Sequence, residues 1–214
     1  MINSSIASMP QSVFLRDRDY TLIIDKSASM SINDQPQGKT RWEAAQESAL
    51  ALAKECEKND PDGITVYLFS GPFRRYDNVT SDKVSQIYQD NEPMGVSNLA
   101  NVLLDATENY FQRKAKGEAK VNGETFVVIT DGEPDDCKAV MRVIIDASQK
   151  IDRDEEMGIS LIQVGKDRKA TAFLKALDDR LESAGAKFDI VDTVTVDEMK
   201  GMKLSDVLLN ALID

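Results

Sequence analysis

Three short segments concentrate the oxygen-bearing side chains that could do chemistry: Asp25-Lys26-Ser27-Ala28-Ser29, Gly95-Val96-Ser97-Asn98-Leu99 and Thr130-Asp131-Gly132. They offer the carboxylates of Asp25 and Asp131 and the hydroxyls of Ser27, Ser29 and Ser97, with no nitrogen or sulfur ligand. An all-oxygen set suits a hard cation, magnesium first, with manganese or calcium as alternatives because oxygen ligands separate these ions only by number and geometry. The every-second-residue spacing of Asp25, Ser27 and Ser29 lets one loop turn three oxygens towards a point. With few carboxylates in direct contact, such an ion stays electrophilic and keeps positions for water or an outside ligand. Taken singly, the aspartates read as turn or cap residues and the serines as ordinary loop residues. Their joint occurrence in chain order favours a site. Asn98 reads as a helix cap and Glu133 as a solvated neighbour that sharpens the negative field.

These residues converge only if the elements before them end at one edge. Tyr20–Asp25 (YTLIID) and Phe126–Thr130 (FVVIT) are apolar, β-rich runs that each lead into an aspartate. Continuous rather than alternating apolarity indicates strands buried on both faces. Further strands are expected over Ile64–Ser70, Gly158–Val164 and Phe188–Val191, with Phe73–Asn78 a short edge strand. Helices are expected from Thr40, opened by a Thr40/Glu43 capping box, to about Lys58, and over Ser81–Gln89 and Asn98–Lys116. Others are expected over Asp135–Asp152, over Ala170–Glu182 and from Leu204. On the Asn98–Lys116 helix, Leu99, Val102, Leu103, Ala106 and Tyr110 share one face. The alternation predicts an α/β fold, a doubly wound, mostly parallel central sheet with helices on both faces. In such sheets ligands gather beyond the carboxyl ends of the strands at a topological switch point, where all three segments are expected. The domain is expected over residues 19–214. A flexible N-terminal extension is expected over residues 1–18, and the charged RDRD run that leads into the first strand is expected to be solvated.

Composition removes much competing chemistry. The 214 residues carry 37 acidic against 26 basic side chains, a net charge of −11. With a pI near 4.6 the chain lacks the basic excess that nucleic acid requires. There is no histidine, which excludes Ser-His-Asp and Cys-His nucleophile systems and HExxH zinc sites. Cys56 and Cys137 are far apart without CxxC spacing and read as buried thiols. No apolar run is long enough to span a bilayer and the start of the chain lacks a secretory pattern, so no membrane association and a cytoplasmic location are expected. Oligomeric state is not legible.

On the residues already named, the chain resembles a von Willebrand factor type A (VWA) domain with its metal-ion-dependent adhesion site (MIDAS). Asp25, Ser27 and Ser29 match that family's Asp-x-Ser-x-Ser after the first strand. Ser97 takes the position of its threonine in a loop before a helix, and Asp131 matches the aspartate of its TDG run. The likeness spans residues 19–213. Serine at 97 keeps the hydroxyl and loses a methyl, and Val96 replaces a common glycine. The resemblance implies a Rossmann-like fold and a non-catalytic interaction module. Hydroxyls would hold the ion directly, the aspartates would often act through water, and a protein partner's Asp or Glu carboxylate would complete the sphere. The Ile129–Pro134 segment, the Ile162–Gly165 strand end and the Leu177-Asp178-Asp179 run resemble bacterial cytosolic members encoded with tellurium-resistance and related stress proteins.

Other readings are weaker. Gly38-Lys39-Thr40 resembles the end of a phosphate-binding loop, but the first glycine of that motif would fall on Asn33. A magnesium-dependent phosphatase of the haloacid dehalogenase type also uses strand-terminal aspartates. Its leaving-group acid, two residues after the first aspartate, would here be Ser27. A third alternative is a structural ion that never meets a partner. Asp60-Pro61-Asp62-Gly63 reads as a turn rather than a calcium loop.

Overall fold

The computed structural model describes residues 12–132 and 134–213, so Glu133, Asp214 and the first eleven positions lie outside the described residues. Six strands form one sheet: β1 (Asp19–Asp25), β2 (Ile64–Phe69), β3 (Phe73–Val79), β4 (Glu124–Thr130), β5 (Met157–Gln163) and β6 (Val191–Thr195). Their order is β3-β2-β1-β4-β5-β6. All pairings are parallel except β2 with β3, which lies antiparallel at the edge.

The alternation of side chains along each strand divides the core in two. Leu22, Ile24, Val66, Leu68, Val127 and Ile129 face one way, beneath helices α2 (Arg41–Asn59), α3 (Ser81–Gln89) and α8 (Leu204–Ile213). Ile23, Tyr67, Phe69, Phe126 and Val128 face the other, beneath α4 (Leu99–Lys116), α5 (Cys137–Lys150) and α6 (Arg168–Arg180). This is the doubly wound α/β arrangement expected, with strands buried on both faces. The five apolar residues assigned to one face of α4 are all buried. The Thr40/Glu43 capping box opens α2 and Asn98 caps α4.

Some expectations are corrected. The last strand is Val191–Thr195 rather than Phe188–Val191. It lies at the sheet edge with a half-exposed Asp192-Thr193 centre, so its apolarity is interrupted where a buried strand's would not be. The short helix α7 (Val196–Met199) follows it directly, started by a Thr195/Glu198 capping box. Before β1, α1 (Ser12–Leu15) contacts α8, and Leu15 is buried. Arg18, expected in solvent, is fully buried. Its guanidinium bonds the Phe14 carbonyl at 2.8 Å, the Thr125 hydroxyl at 3.2 Å and the Glu155 carbonyl, which supplies the partners a buried charge needs. Cys56 is buried, whereas Cys137 is only half-buried. Among the described residues no helix is long and apolar enough to cross a membrane.

Candidate metal centre

The chain order reverses between β1 and β4, the central pair of the sheet. Their register sets Ile24 against Ile129, so Asp25 and Thr130 reach the carboxyl edge together and Asp131 follows immediately. Strand pairing alone therefore brings the two aspartates into one place.

The loop after β1 turns back at once. The Ser27 N–H donates to Asp25 Oδ1 at 2.7 Å, and a short 3-10 turn over Ala28–Ser31 buries Met30 as its anchor. This loop is stitched to the one before α4 by Ala28 N–H to the Gly95 carbonyl (3.0 Å) and Met94 N–H to the Lys26 carbonyl (2.7 Å). Gly95 has φ +82°, and a Cβ there would lie 3.4 Å from Ser70 Oγ, so glycine suits this close crossing. Asn98 N–H, bonded to the Ser70 carbonyl at 3.0 Å, holds the next turn and presents Ser97 to the site.

All five expected residues meet in one hydrogen-bonded cluster. Asp25 Oδ2 accepts from Ser97 Oγ at 3.0 Å and from Thr130 Oγ1 at 2.7 Å. Ser27 Oγ lies 3.1 Å from Ser29 Oγ, and Ser29 Oγ donates to Asp131 Oδ1 at 2.9 Å. Asp131 Oδ2 accepts from Arg41 Nη1 at 2.8 Å. Asp25 and Asp131 are fully buried. Burial raises the Asp25 carboxyl above its ordinary range; Thr130 and Ser27 bonds oppose this and the charge of Asp131 adds to it. Two buried carboxylates side by side call for positive charge.

Sequence reasoning named Thr130 within its segment but gave no site role to Arg41, Thr130 or Tyr88. Thr130 precedes a strand-terminal aspartate and could have been found from the pairing of the two strand ends. Tyr88 packs its ring 4.3 Å from Trp42, and its buried hydroxyl has no hydrogen-bond partner among the described residues. Burial first, then the charge of Asp25, push its phenol well up.

The donor set fits a hard cation: every converging ligand atom is oxygen, with anionic charge beneath neutral hydroxyls. Among the described residues no group of three or more Asp, Glu, Cys or His side chains could hold a metal ion, so an ion at this edge would depend on the serines.

The sequence family described as von Willebrand factor type A domain matches residues 20–133. No curated protein matches the chain in sequence. Among solved structures, the manganese-loaded TRAP protein of Plasmodium vivax is similar with TM-score 0.58 at 14% identity, over 87% of this chain and 72% of that one. A variant of the PilB minor pilin from Streptococcus sanguinis gives TM-score 0.57 at 13% identity, over 91% of this chain but 59% of the pilin. The pilus adhesin SpaC from Lactobacillus rhamnosus GG gives TM-score 0.60 at 12% identity, over 92% of this chain and 30% of the adhesin. At these identities the likeness is one of fold.

Proposed function

The chain belongs to the von Willebrand factor type A domain family, and we propose that it is a non-catalytic, metal-dependent interaction module. A magnesium ion, replaceable by manganese or calcium, is held by Asp25, Ser27, Ser29, Ser97 and Asp131 as a metal-ion-dependent adhesion site. The ion recruits an Asp or Glu carboxylate of a partner protein. One observation carries this reading: three hydroxyls from two loops and two buried aspartates share one continuous cluster at the switch point of the sheet.

The physical logic is electrostatic. A protein of net charge −11 repels acidic partners, and an ion with an open position reverses the local sign where the partner lands. An incoming carboxylate then gains a charge-assisted contact. The phosphatase alternative lacks its acid, because Ser27 stands there and is engaged with Ser29 and Asp25. The setting we propose is cytoplasmic, in a bacterial stress or metal-resistance system, supported by the likeness of the Ile129–Pro134 segment to such members.

The test is binding to arrayed Asp- and Glu-containing peptides with magnesium and with chelator. The expected result is binding that chelator abolishes and that Ser27→Ala weakens at least about tenfold while the melting temperature holds, the loss of one charge-assisted contact or its ligand being worth that much. Peptide binding that survives chelation would count against the reading.

A further inference from the structure

Arg41 is the first residue of α2, and its guanidinium lies between two carboxylates. Nη1 donates to Asp131 Oδ2 at 2.8 Å. Nε lies 3.2 and 3.1 Å from the two oxygens of Asp34, and Nη2 donates to Asp34 Oδ2 at 2.7 Å. The arginine side chain is 12% exposed, Asp131 1% and Asp34 37%, so the cation spans from the buried floor of the cluster to its rim. Room for it is built into the sheet. Gly165, just after β5, has φ +87°, and a Cβ there would come within 2.9 Å of Arg41 Nε. The backbone N–H of Arg41 is fixed as well, on the Ile32 carbonyl at 3.0 Å.

The side chain thus places a permanent positive charge on one of the carboxylates that the metal reading assigns to the ion. A divalent cation arriving there meets like charge at close range, and in a partly buried site that repulsion is weakly screened. Asp34 pulls the other way, because each bond it takes from Arg41 draws the guanidinium towards the rim. We infer that Arg41 is an internal cation that competes with the metal ion for Asp131, with Asp34 as the counter-carboxylate that sets the strength of the competition. The inference rests on the proposed metal site and names what tunes its affinity: Arg41 lowers it, Asp34 restores it.

The two neighbours therefore have opposite effects, which a shared structural role would not produce. The experiment is calorimetric titration of manganese into chelator-stripped wild type, Arg41→Gln, Asp34→Asn and the double variant, with a thermal melt of each. Arg41→Gln should bind about tenfold more tightly, in keeping with removal of a like charge at contact range. Asp34→Asn, on an exposed loop where misfolding is not at issue, should bind about threefold more weakly, since an exposed charge acts through its partner and is otherwise well screened. In the Arg41→Gln background the Asp34→Asn effect should vanish, because there is no cation left to redirect. Equal or weaker binding by Arg41→Gln, or an Asp34→Asn effect that persists without Arg41, would overturn the inference while leaving the metal site intact. Failure of all four proteins to bind the ion would remove the metal reading and this inference with it.

Discussion

The Asp25 carboxylate takes one bond from its own loop and two from Ser97 and Thr130. Its role is to organise hydroxyls as much as to carry charge. A second pair of acids shows how burial divides a proton between neighbours. Asp60, buried at the turn after α2, is pushed up to about 7 by burial and by its hydrogen bond with Asp62, against the pull of Lys120. Asp62 is held down to about 2 by the same shared bond and by Lys120. Between about pH 4 and 7 the folded protein therefore keeps a proton on Asp60 that the unfolded chain releases, since an ordinary Asp ionises near 4. This contribution is complete below about pH 4 and is lost as the pH rises through 7; the opposite contribution of Asp62 is complete above about pH 4 and is lost as the pH falls towards 2, so it is constant between pH 5 and 8. Melting temperatures at pH 5 and 8 should accordingly fall more for wild type than for Asp60→Asn, and equal falls would refute the assignment. The turn itself is legible from Asp60-Pro61-Asp62-Gly63, but Lys120 and the shared proton are not. Likewise Asp25, Ser27 and Ser29 announce themselves by spacing. Arg41 sits sixteen positions beyond Asp25, and only the folded loop brings it to Asp131.

At the scale of elements, strand pairing places the site and helix packing supports it from behind. The apolar runs Leu22–Ile24 of β1 and Phe126–Ile129 of β4 are legible because both faces of these strands are buried. The edge strand β6 is shifted from expectation because a half-exposed strand carries the polar residues that mark loops elsewhere. β5 carries a close packing demand of its own. At Gly158 an added Cβ would come within 2.7 Å of Leu212 Cδ2 and 2.9 Å of the Ala211 carbonyl, so α8 sits directly on the strand backbone. Gly158→Ala should force α8 outward and cost about 1–3 kcal/mol of stability by denaturant unfolding. The strain falls at the amino end of β5, away from the carboxyl edge, so metal affinity should stay within about twofold of wild type in a native-like variant. An unchanged unfolding midpoint would show that the helix contact is softer than its geometry implies.

Taken whole, the molecule is an acidic doubly wound domain whose topological switch coincides with its two strand-terminal aspartates. The fold class follows from the alternation of helix and strand, and the edge at which ligands would gather follows from the fold. What a sequence cannot carry is the charge balance at that edge, since Arg41, Asp34 and Asp131 come from three separate segments. The central claim is that this edge holds one divalent cation on hydroxyl and carboxylate oxygens. Isothermal titration of magnesium, manganese and calcium into chelator-stripped wild type and Asp25→Ala tests it most directly. The account predicts single-site binding by wild type that is lost in the variant; no binding of any of the three ions by wild type, or equal binding by Asp25→Ala, would contradict it.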